Sequence, residues 1–320
     1  MSKKMTNKLT KNLSQFTILI ALIILSIFFS FTTDGFLSTT NLFNIMRQVA
    51  VNGIAAVGMT MVIITGGIDI SVGAIMGVGS VGCATLMVQG VHPVAAVTAI
   101  LVLGLVIGII HGFFIHDIEL PPMIVTLATM SILRGTTYII SGGLPVYGFP
   151  KNFNVIGQGY IGAIPVPVII MTICFIIGWF ILERTSFGRY VYGVGSNKEA
   201  SRLSGVNVRK VMYGVYGLCG LLSAMAGLVL LSRVNSGQPK AGEGYEMDII
   251  TAVVLGGVST TGGEGKIVNV IMGLLLMGIL LNGMVIMNIP DYYQRLVKGF
   301  VLLLAISYDK ISQKRANNKV

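Results

Sequence analysis

The chain has 320 residues, of which 54% are hydrophobic and only 11% are charged, and its formal net charge is +10 at pH 7. A soluble domain usually carries about 25% charged residues, so this composition excludes a soluble globular enzyme and a disordered chain. The Lys and Arg residues lie in tails and one loop between long apolar runs. This pattern indicates the positive-inside bias of a polytopic membrane protein rather than a nucleic-acid binder.

The N-terminal tail, residues 1–15, contains four lysines and precedes an apolar run from Phe16 to Phe31. That run is long for the apolar region of a signal peptide, and residues 32–35 offer no A-x-A cleavage site. We therefore expect an uncleaved first span whose N-terminus is cytoplasmic.

Ten apolar stretches predict an all-α polytopic membrane protein with about ten transmembrane helices. A span needs about 20 residues, so the chain has room for one transmembrane domain over residues 1–320 and no soluble one. The eighth stretch is too short to cross as one straight helix. The predicted spans are 16–32, 42–65, 71–90, 93–115, 122–141, 166–183, 208–231, 247–258, 267–287 and 292–309.

An even number of spans places both termini, including the tail 310–320, in the cytoplasm. Most of the 22 Lys and Arg residues then lie on the cytoplasmic side, whereas the outer loops clearly hold only Lys151, Arg233 and Lys240. This asymmetry supports both the count and the orientation.

Small residues recur at a spacing of four in two of these stretches, at Gly73 and Gly77 and at Gly104, Gly108 and Gly112. Such glycine faces let helix backbones approach closely in lipid. Packing within the chain is the favoured interpretation, and dimerisation is the alternative.

Glycine and polar residues interrupt two apolar runs, at residues 64–71 and 255–263. Paired interruptions in two halves are typical of a transporter built from an internal repeat, where irregular backbone at membrane depth lines a cavity. The alternative is a pair of tight cytoplasmic turns, with Asp69 or Ser71 capping the next helix. The candidate hinge or pathway residues are Gly66, Gly67, Asp69, Ser71, Gly256, Gly257 and Ser259.

Enzyme motifs are weak throughout the sequence. Residues 77–82 fit G-x-G-x-x-G but lie in an apolar span with no preceding strand, and Thr260 and Ile267 break the P-loop spacing around Lys266. We therefore predict no catalytic residues and no ATP hydrolysis by this chain through a P-loop. The three cysteines lack metal-ligand spacing and are expected to be small buried apolar residues, so no metal site is predicted. The histidines are expected at packing or helix-end positions.

The loop 184–207 is long and basic, which in a chain without a soluble domain suggests a docking surface for another protein. Residues 187–208, FGRYVYGVGSNKEASRLSGVNV, closely resemble the coupling segment of ribose-type sugar ABC-importer permeases. Further matches extend over most of the chain: NLFN at 41–44, GMT at 58–60, GGIDISVG at 66–73, QP at 238–239, AVVLGG at 252–257 and YYQ at 292–294.

The resemblance implies a plasma-membrane permease subunit that works by alternating access. ATP and Mg would bind to a separate ATP-binding cassette subunit, and this chain would bind no cofactor. An extracytoplasmic sugar-binding protein would deliver the sugar to the outer loops, and a second copy or a related permease would complete the pathway. The residues that the resemblance assigns to ATPase coupling are Gly188, Arg189, Glu199, Ala200, Arg202, Leu203 and Gly205.

Ribose is the first substrate that this resemblance suggests, followed by other sugars, nucleosides and, further off, branched-chain amino acids. Polar side chains on membrane helices could line a sugar pathway, although helix packing explains each almost equally well: Asn44, Gln48, Asn52 and Asn282. The loop 143–165 departs from the family pattern, which leaves the sugar open. A free-standing, gradient-driven carrier or channel is the alternative from a different class.

Overall fold

The computed structural model describes residues 18–317, so the predicted tail 1–15 lies outside the described residues. Helices dominate the described chain, and a 3-10 turn (Lys151–Asn154) and a two-stranded hairpin complete it. The helices are α1 (Ile18–Thr32), α2 (Thr39–Ile64), α3 (Val72–Val88), α4 (Pro93–His116), α5 (Pro122–Ser141), α6 (Val155–Gln158), α7 (Val166–Arg184), α8 (Ser186–Ser196), α9 (Lys198–Leu203), α10 (Val208–Val234), α11 (Tyr245–Leu255), α12 (Ile267–Ile286) and α13 (Asp291–Asn317).

Each of the ten predicted spans coincides with one of these helices, which confirms the all-α membrane fold. By length and apolarity, six described helices could cross a membrane: α2, α4, α5, α7, α10 and α12. Helices α1 and α3 are shorter apolar helices. Helix α11 has 11 residues and is short, as predicted.

Several helix ends follow from local chemistry. Ser38 caps α2, where its hydroxyl accepts a hydrogen bond from the Asn41 backbone N–H. Prolines occupy the first turn of α4, α5 and α7, where the fixed φ of proline suits a helix start and the missing N–H costs nothing. Helix α13 continues to Asn317, so most of the predicted tail 310–320 is helical.

Helix α2 forms the centre of the molecule. Every residue from Val49 to Ile64 is buried, and most of them are apolar, which is the behaviour expected of a core helix. Helices α7, α10, α11 and α12 pack around it. Helices α4, α5 and α7 leave most of their surface exposed.

The predicted glycine faces pack within the chain. A Cβ atom at Gly104 or Gly108 would collide with the α10 backbone at Gly220 or Tyr216, and one at Gly112 would lie 2.8 Å from the Tyr213 Cα. Helices α4 and α10 therefore approach at backbone distance, which supplies van der Waals packing in an environment where the hydrophobic effect does not join helices. The intrachain interpretation is confirmed.

The connections gather at two ends of the helix bundle. The coupling end, as we name it, contains α8, α9 and the turn at 256–266. The opposite end contains the segment 143–165, where β1 (Tyr160–Ile161) and β2 (Ile164–Pro165) form an antiparallel hairpin. At that end Val146 also bridges to Gly237, in the segment that follows α10.

Candidate functional site

Helix α9 is a six-residue helix with a defined boundary at each end. At its start the Asn197 Oδ1 atom accepts a hydrogen bond of 2.9 Å from the Ala200 N–H. At its end the N–H groups of Gly205 and Val206 donate to the carbonyls of Arg202 and Ser201, which is a Schellman motif. Gly205 has φ +83°, a left-handed conformation that glycine adopts without a Cβ penalty. The segment that resembles the coupling segment thus contains a short helix and a sharp turn at Gly205.

The surface of α9 is almost entirely open to solvent. Only Ser201 is buried, where α9 rests on α8, whereas Glu199, Ala200 and Arg202 are exposed and Leu203 is 75% exposed. A helix this short is marginal without tertiary support. Leu203 is thus an apolar side chain in contact with solvent on a small, capped helix.

Glu199 and Arg202 form a bidentate ion pair on this surface. The Arg202 guanidinium donates to both carboxylate oxygens, at 2.9 and 2.6 Å. These hydrogen bonds lower the pKa of Glu199, so its carboxylate is ionised throughout the neutral range. Because both side chains are about two-thirds exposed, the pair contributes little to stability and chiefly sets the charge pattern of α9.

Helix α8 places the other two predicted coupling residues differently. Gly188 is buried, and a Cβ atom there would collide with the carbonyls of Ile181 and Leu182 at the end of α7. Arg189 is exposed. Gly188 therefore shapes the α7–α8 corner, while Arg189 is one of several exposed basic residues in and next to the loop 184–207, with Arg184, Lys198, Arg209 and Lys210.

The two predicted interruptions meet beneath α8. We name this meeting point the turn junction: residues 64–67, 195–196 and 262–265. The Gly263 N–H donates to the Ile64 carbonyl at 2.8 Å, and a Cβ at Gly195 would collide with that same carbonyl. The Tyr192 hydroxyl of α8 donates to the Gly265 carbonyl at 2.9 Å.

Two further observations concern the hydrogen bonds of the turn junction and of the turn that belongs to it. Burial raises the pKa of Tyr192 to about 12, so its hydroxyl remains a donor at neutral pH. The Asp309 carboxylate of α13 accepts hydrogen bonds from the Thr260 N–H and hydroxyl, at 3.1 and 2.9 Å. Helix α8, which precedes α9, is thus hydrogen-bonded to the turn between α11 and α12. That turn is in turn hydrogen-bonded to α2 and α13.

The first interruption leaves the helical conformation inside the protein. Gly67, Asp69 and Ser71 are buried, and the Asp69 carboxylate accepts hydrogen bonds of 2.9 and 2.6 Å from the Ser71 N–H and hydroxyl. The other carboxylate oxygen lies 3.5 Å from Nδ1 of His111 in α4, and both side chains have no exposed surface. Irregular backbone at depth is thus buried in protein, as its polar groups require.

The second interruption is likewise a partly buried turn. Gly256 is buried against α12, where a Cβ would lie 2.7 Å from the Val270 Cα, whereas Gly257 is exposed with φ +82°. Ser259 is buried within the turn. Gly66 likewise has a positive φ, +83°. The two interruptions begin with the same turn, because the N–H groups of Gly66 and Gly67 donate to the Ile63 and Val62 carbonyls, and those of Gly257 and Val258 donate to the Val254 and Val253 carbonyls. The internal repeat stays a prediction.

The predicted pathway amides occupy three different environments. Asn44, Gln48 and Asn52 lie on one face of α2 and pass from exposed to half-buried to buried. Asn282 is buried and exchanges two amide hydrogen bonds with Asn41, at 2.9 and 2.8 Å. This reciprocal pair joins α12 to α2, so packing accounts for Asn282 more directly than a pathway role does.

One candidate was not found from the sequence. His111 was expected at a packing position, yet it faces the buried carboxylate of the 65–71 segment, and its place in an apolar span was the available signal. Asp248 and Lys298, which the sequence already marks as charged residues in or at the edges of spans, form a pair between α11 and α13 at 2.9 Å, with Asp248 buried. Within residues 18–317, no group of three or more His, Cys, Asp or Glu side chains could hold a metal.

These features define a class. The protein is a polytopic α-helical membrane protein in which the exposed helix α9 is linked through α8, by hydrogen bonds, to the interruptions of the central helices. A family model of branched-chain amino acid transport system permease components matches residues 41–306, and the chain belongs to this family. It is therefore a transporter permease subunit that crosses the plasma membrane several times.

Curated relatives resemble it over nearly their whole length. The ribose import permease protein RbsC of Bacillus subtilis (strain 168) is 46% identical over 91% of each chain. That of Escherichia coli (strain K12) is 44% identical over 92% of this chain and 93% of its own. The xylose transport system permease protein XylH of the same strain is 34% identical over 95% of this chain and 94% of its own. No solved structure gives a significant match. The resemblance to ribose-type permeases is thereby confirmed.

Proposed function

We propose that this chain forms the membrane pathway of an ATP-driven importer of ribose or a similar monosaccharide. Its two relatives with the higher identities, at 46% and 44%, are named for ribose, and one named for xylose is 34% identical. A separate ATP-binding cassette subunit binds ATP and Mg and docks at α8 and α9. An extracytoplasmic binding protein delivers the sugar to the opposite end, and a second copy of the chain completes the pathway. Both termini are cytoplasmic.

One observation carries the docking proposal. Helix α9 presents Leu203 and the Glu199–Arg202 pair to solvent, while its base is bonded through the turn junction to α2 and to the α11–α12 turn. A partner that moves α9 therefore pulls on both interruptions, including the candidate hinges Gly66, Gly67 and Gly257. This is the connection that alternating access needs between a nucleotide-driven motion and a bistable set of membrane helices.

The test uses the chain reconstituted with its ATP-binding subunit and binding protein. Leu203→Asp places a charge where an apolar contact is expected, so it abolishes transport and copurification of the ATP-binding subunit, whereas Leu203→Met retains both. Arg202→Glu is expected to impair transport. The swapped double variant, Glu199→Arg with Arg202→Glu, keeps an ion pair within α9 but moves each charge. This double variant is expected to remain impaired if the partner contacts each charge at its original position.

Undiminished transport by Leu203→Asp and Arg202→Glu would contradict the docking site. A chain that moves solute alone in liposomes, without any ATP-binding subunit, would instead support a free-standing carrier. Uptake of labelled ribose, xylose and a nucleoside by the complete complex distinguishes the substrates.

A further inference from the structure

An apolar groove runs along the outer surface between α7 and α12. Its volume is about 290 Å³, and it is lined by side chains of α7 from Met171 to Trp179 and by Val268 and Ile271 of α12. The one hydroxyl in its lining, that of Thr172, already donates to the Val168 carbonyl at 2.8 Å. The groove is therefore suited to a hydrocarbon chain and not to a polar solute.

The surface around the groove is open. On α7, Ile173, Ile176, Ile177 and Phe180 are each at least half exposed, as is Val268 on α12. Helix α7 is long and apolar enough to span a membrane. Exposed apolar surface on such a helix faces hydrocarbon, because lipid tails are as apolar as these side chains.

A cation lies next to the groove, on the side of the coupling end. The Arg184 guanidinium lies over the Trp179 ring, 5.5 Å from its centroid, and Trp179 itself lines the groove. Within residues 18–317, no carboxylate lies within 4 Å of this guanidinium. Glu183 precedes Arg184 by one position, so the two side chains lie about 100° apart around the helix. The exposed residues Lys266 and Glu264 precede α12 at the same end.

A stacked guanidinium keeps its N–H edge free. Arg presents five donors in a planar fork that matches phosphate oxygens, and stacking on an aromatic ring uses its face rather than that edge. A bilayer lipid whose acyl chain follows the groove toward Arg184 would place its phosphate near this fork. Basic side chains at the ends of membrane helices also attract anionic headgroups over neutral ones.

We propose that the α7–α12 groove binds an anionic phospholipid, with an acyl chain against Met171–Trp179 and the headgroup phosphate on Arg184. The partner is thus a lipid of the surrounding bilayer, selected by charge at one end of an apolar groove. The proposal is independent of the transported substrate.

The chain supplies its own probe, because Trp179 is its single tryptophan. The full chain is reconstituted in phosphatidylcholine vesicles, and a brominated lipid is introduced at increasing mole fraction. Bromine quenches tryptophan fluorescence on contact, so the quenching curve reports occupancy of the groove. Brominated phosphatidylglycerol is expected to occupy the site with about five-fold preference over brominated phosphatidylcholine, from the usual effect of one basic residue.

Two matched variants separate the groove from general surface charge. Arg184→Gln is expected to remove the preference for phosphatidylglycerol while quenching by both lipids persists. Lys210→Gln removes an exposed positive charge of the same end, away from the groove, and is expected to keep the preference. Each variant is normalised to its own fluorescence in vesicles without bromine.

Three outcomes would overturn the proposal. Equal quenching of the unsubstituted chain by both lipids would show that the groove does not select charge. An unchanged preference in Arg184→Gln would assign the selection to another site. Absence of quenching by either lipid would mean that protein, such as a second copy of the chain, covers the groove.

Discussion

At the scale of single residues, the least expected arrangement is the contact between Asp69 and His111. A carboxylate without any exposed surface is costly unless it is paired and hydrogen-bonded. Ser71 satisfies one oxygen of Asp69 with two hydrogen bonds, and His111 faces the other at 3.5 Å. His111 also packs edge-on against the Tyr216 ring of α10, with 6.2 Å between ring centroids. The non-helical segment is thereby attached to α4 and, through it, to α10.

We expect Asp69 and His111 to be energetically coupled. Removing one member of a buried pair leaves the other without compensation, so Asp69→Asn and His111→Gln should each destabilise the protein by about 3 kcal/mol. The double variant should cost clearly less than the sum of the two single variants. Unfolding of all four proteins in detergent measures this coupling. Strictly additive losses would show that the two side chains act separately.

The sequence identified Asp69 as a candidate but not its partner. Asp69 stands in a glycine-rich interruption, where a charge between apolar runs is conspicuous. His111 lies 42 positions further on in an apolar span, and no spacing rule connects the two. The same reason explains Asn282, whose pairing with Asn41 across the bundle depends on how α12 packs on α2. Pair contacts between distant helices depend on tertiary packing, which local pattern does not encode.

At the scale of elements, α9 shows how little sequence is needed to hold a short exposed helix. Asn197 fixes its first turn and Gly205 fixes its last, so a six-residue helix is held although only Ser201 is buried. No atom lies within 4 Å of the position that a Cβ would take at Gly205. The glycine is therefore required by backbone conformation alone and not by space.

Substitution of Gly205 should distinguish a requirement for its backbone conformation from a requirement for space at this position. Valine is strongly disfavoured at φ +83°, with a cost of about 1–2 kcal/mol for a left-handed L-residue, and it should distort the end of α9. Asparagine tolerates this conformation and adds no clash, so Gly205→Asn is the matched control. In the reconstituted complex, Gly205→Val should lose most transport-linked ATP hydrolysis while Gly205→Asn retains it. Equal activity of the two variants would exclude a role for the turn geometry.

The elements themselves were largely predictable. Long apolar runs placed ten helices with ends close to those observed, because membrane spans need continuous apolar sequence. The exception is α13, which continues past the predicted end at 309 to Asn317 because its last turns are polar and gave no apolar signal. The division of the loop 184–207 into α8 and α9 was not predicted at this detail. Nor did the sequence indicate that the 256–266 turn bonds to α2 at Ile64, since that contact requires α8, α2 and the turn to meet at one place.

At the scale of the whole molecule, the two ends of the bundle differ in construction. The coupling end is basic and bonded together through the turn junction. The opposite end contains the hairpin and exposed apolar side chains such as Leu144 and Tyr147, which are 71% and 62% exposed. A permease subunit that receives sugar on one side of the membrane and is driven by ATP hydrolysis on the other needs two such different surfaces, one for each partner. The proposed orientation assigns the coupling end to the cytoplasm.

Site-specific labelling tests this orientation with little background, because the three native cysteines are all buried. Leu144→Cys introduces a thiol at the opposite end and Ser204→Cys introduces one beside α9, both at exposed positions. A membrane-impermeant maleimide should label Leu144→Cys in intact cells and Ser204→Cys only after permeabilisation. The reverse pattern would invert the proposed topology, and labelling of both in intact cells would contradict a bundle whose two ends lie on opposite sides of the membrane. The unsubstituted chain, unlabelled under both conditions, is the control.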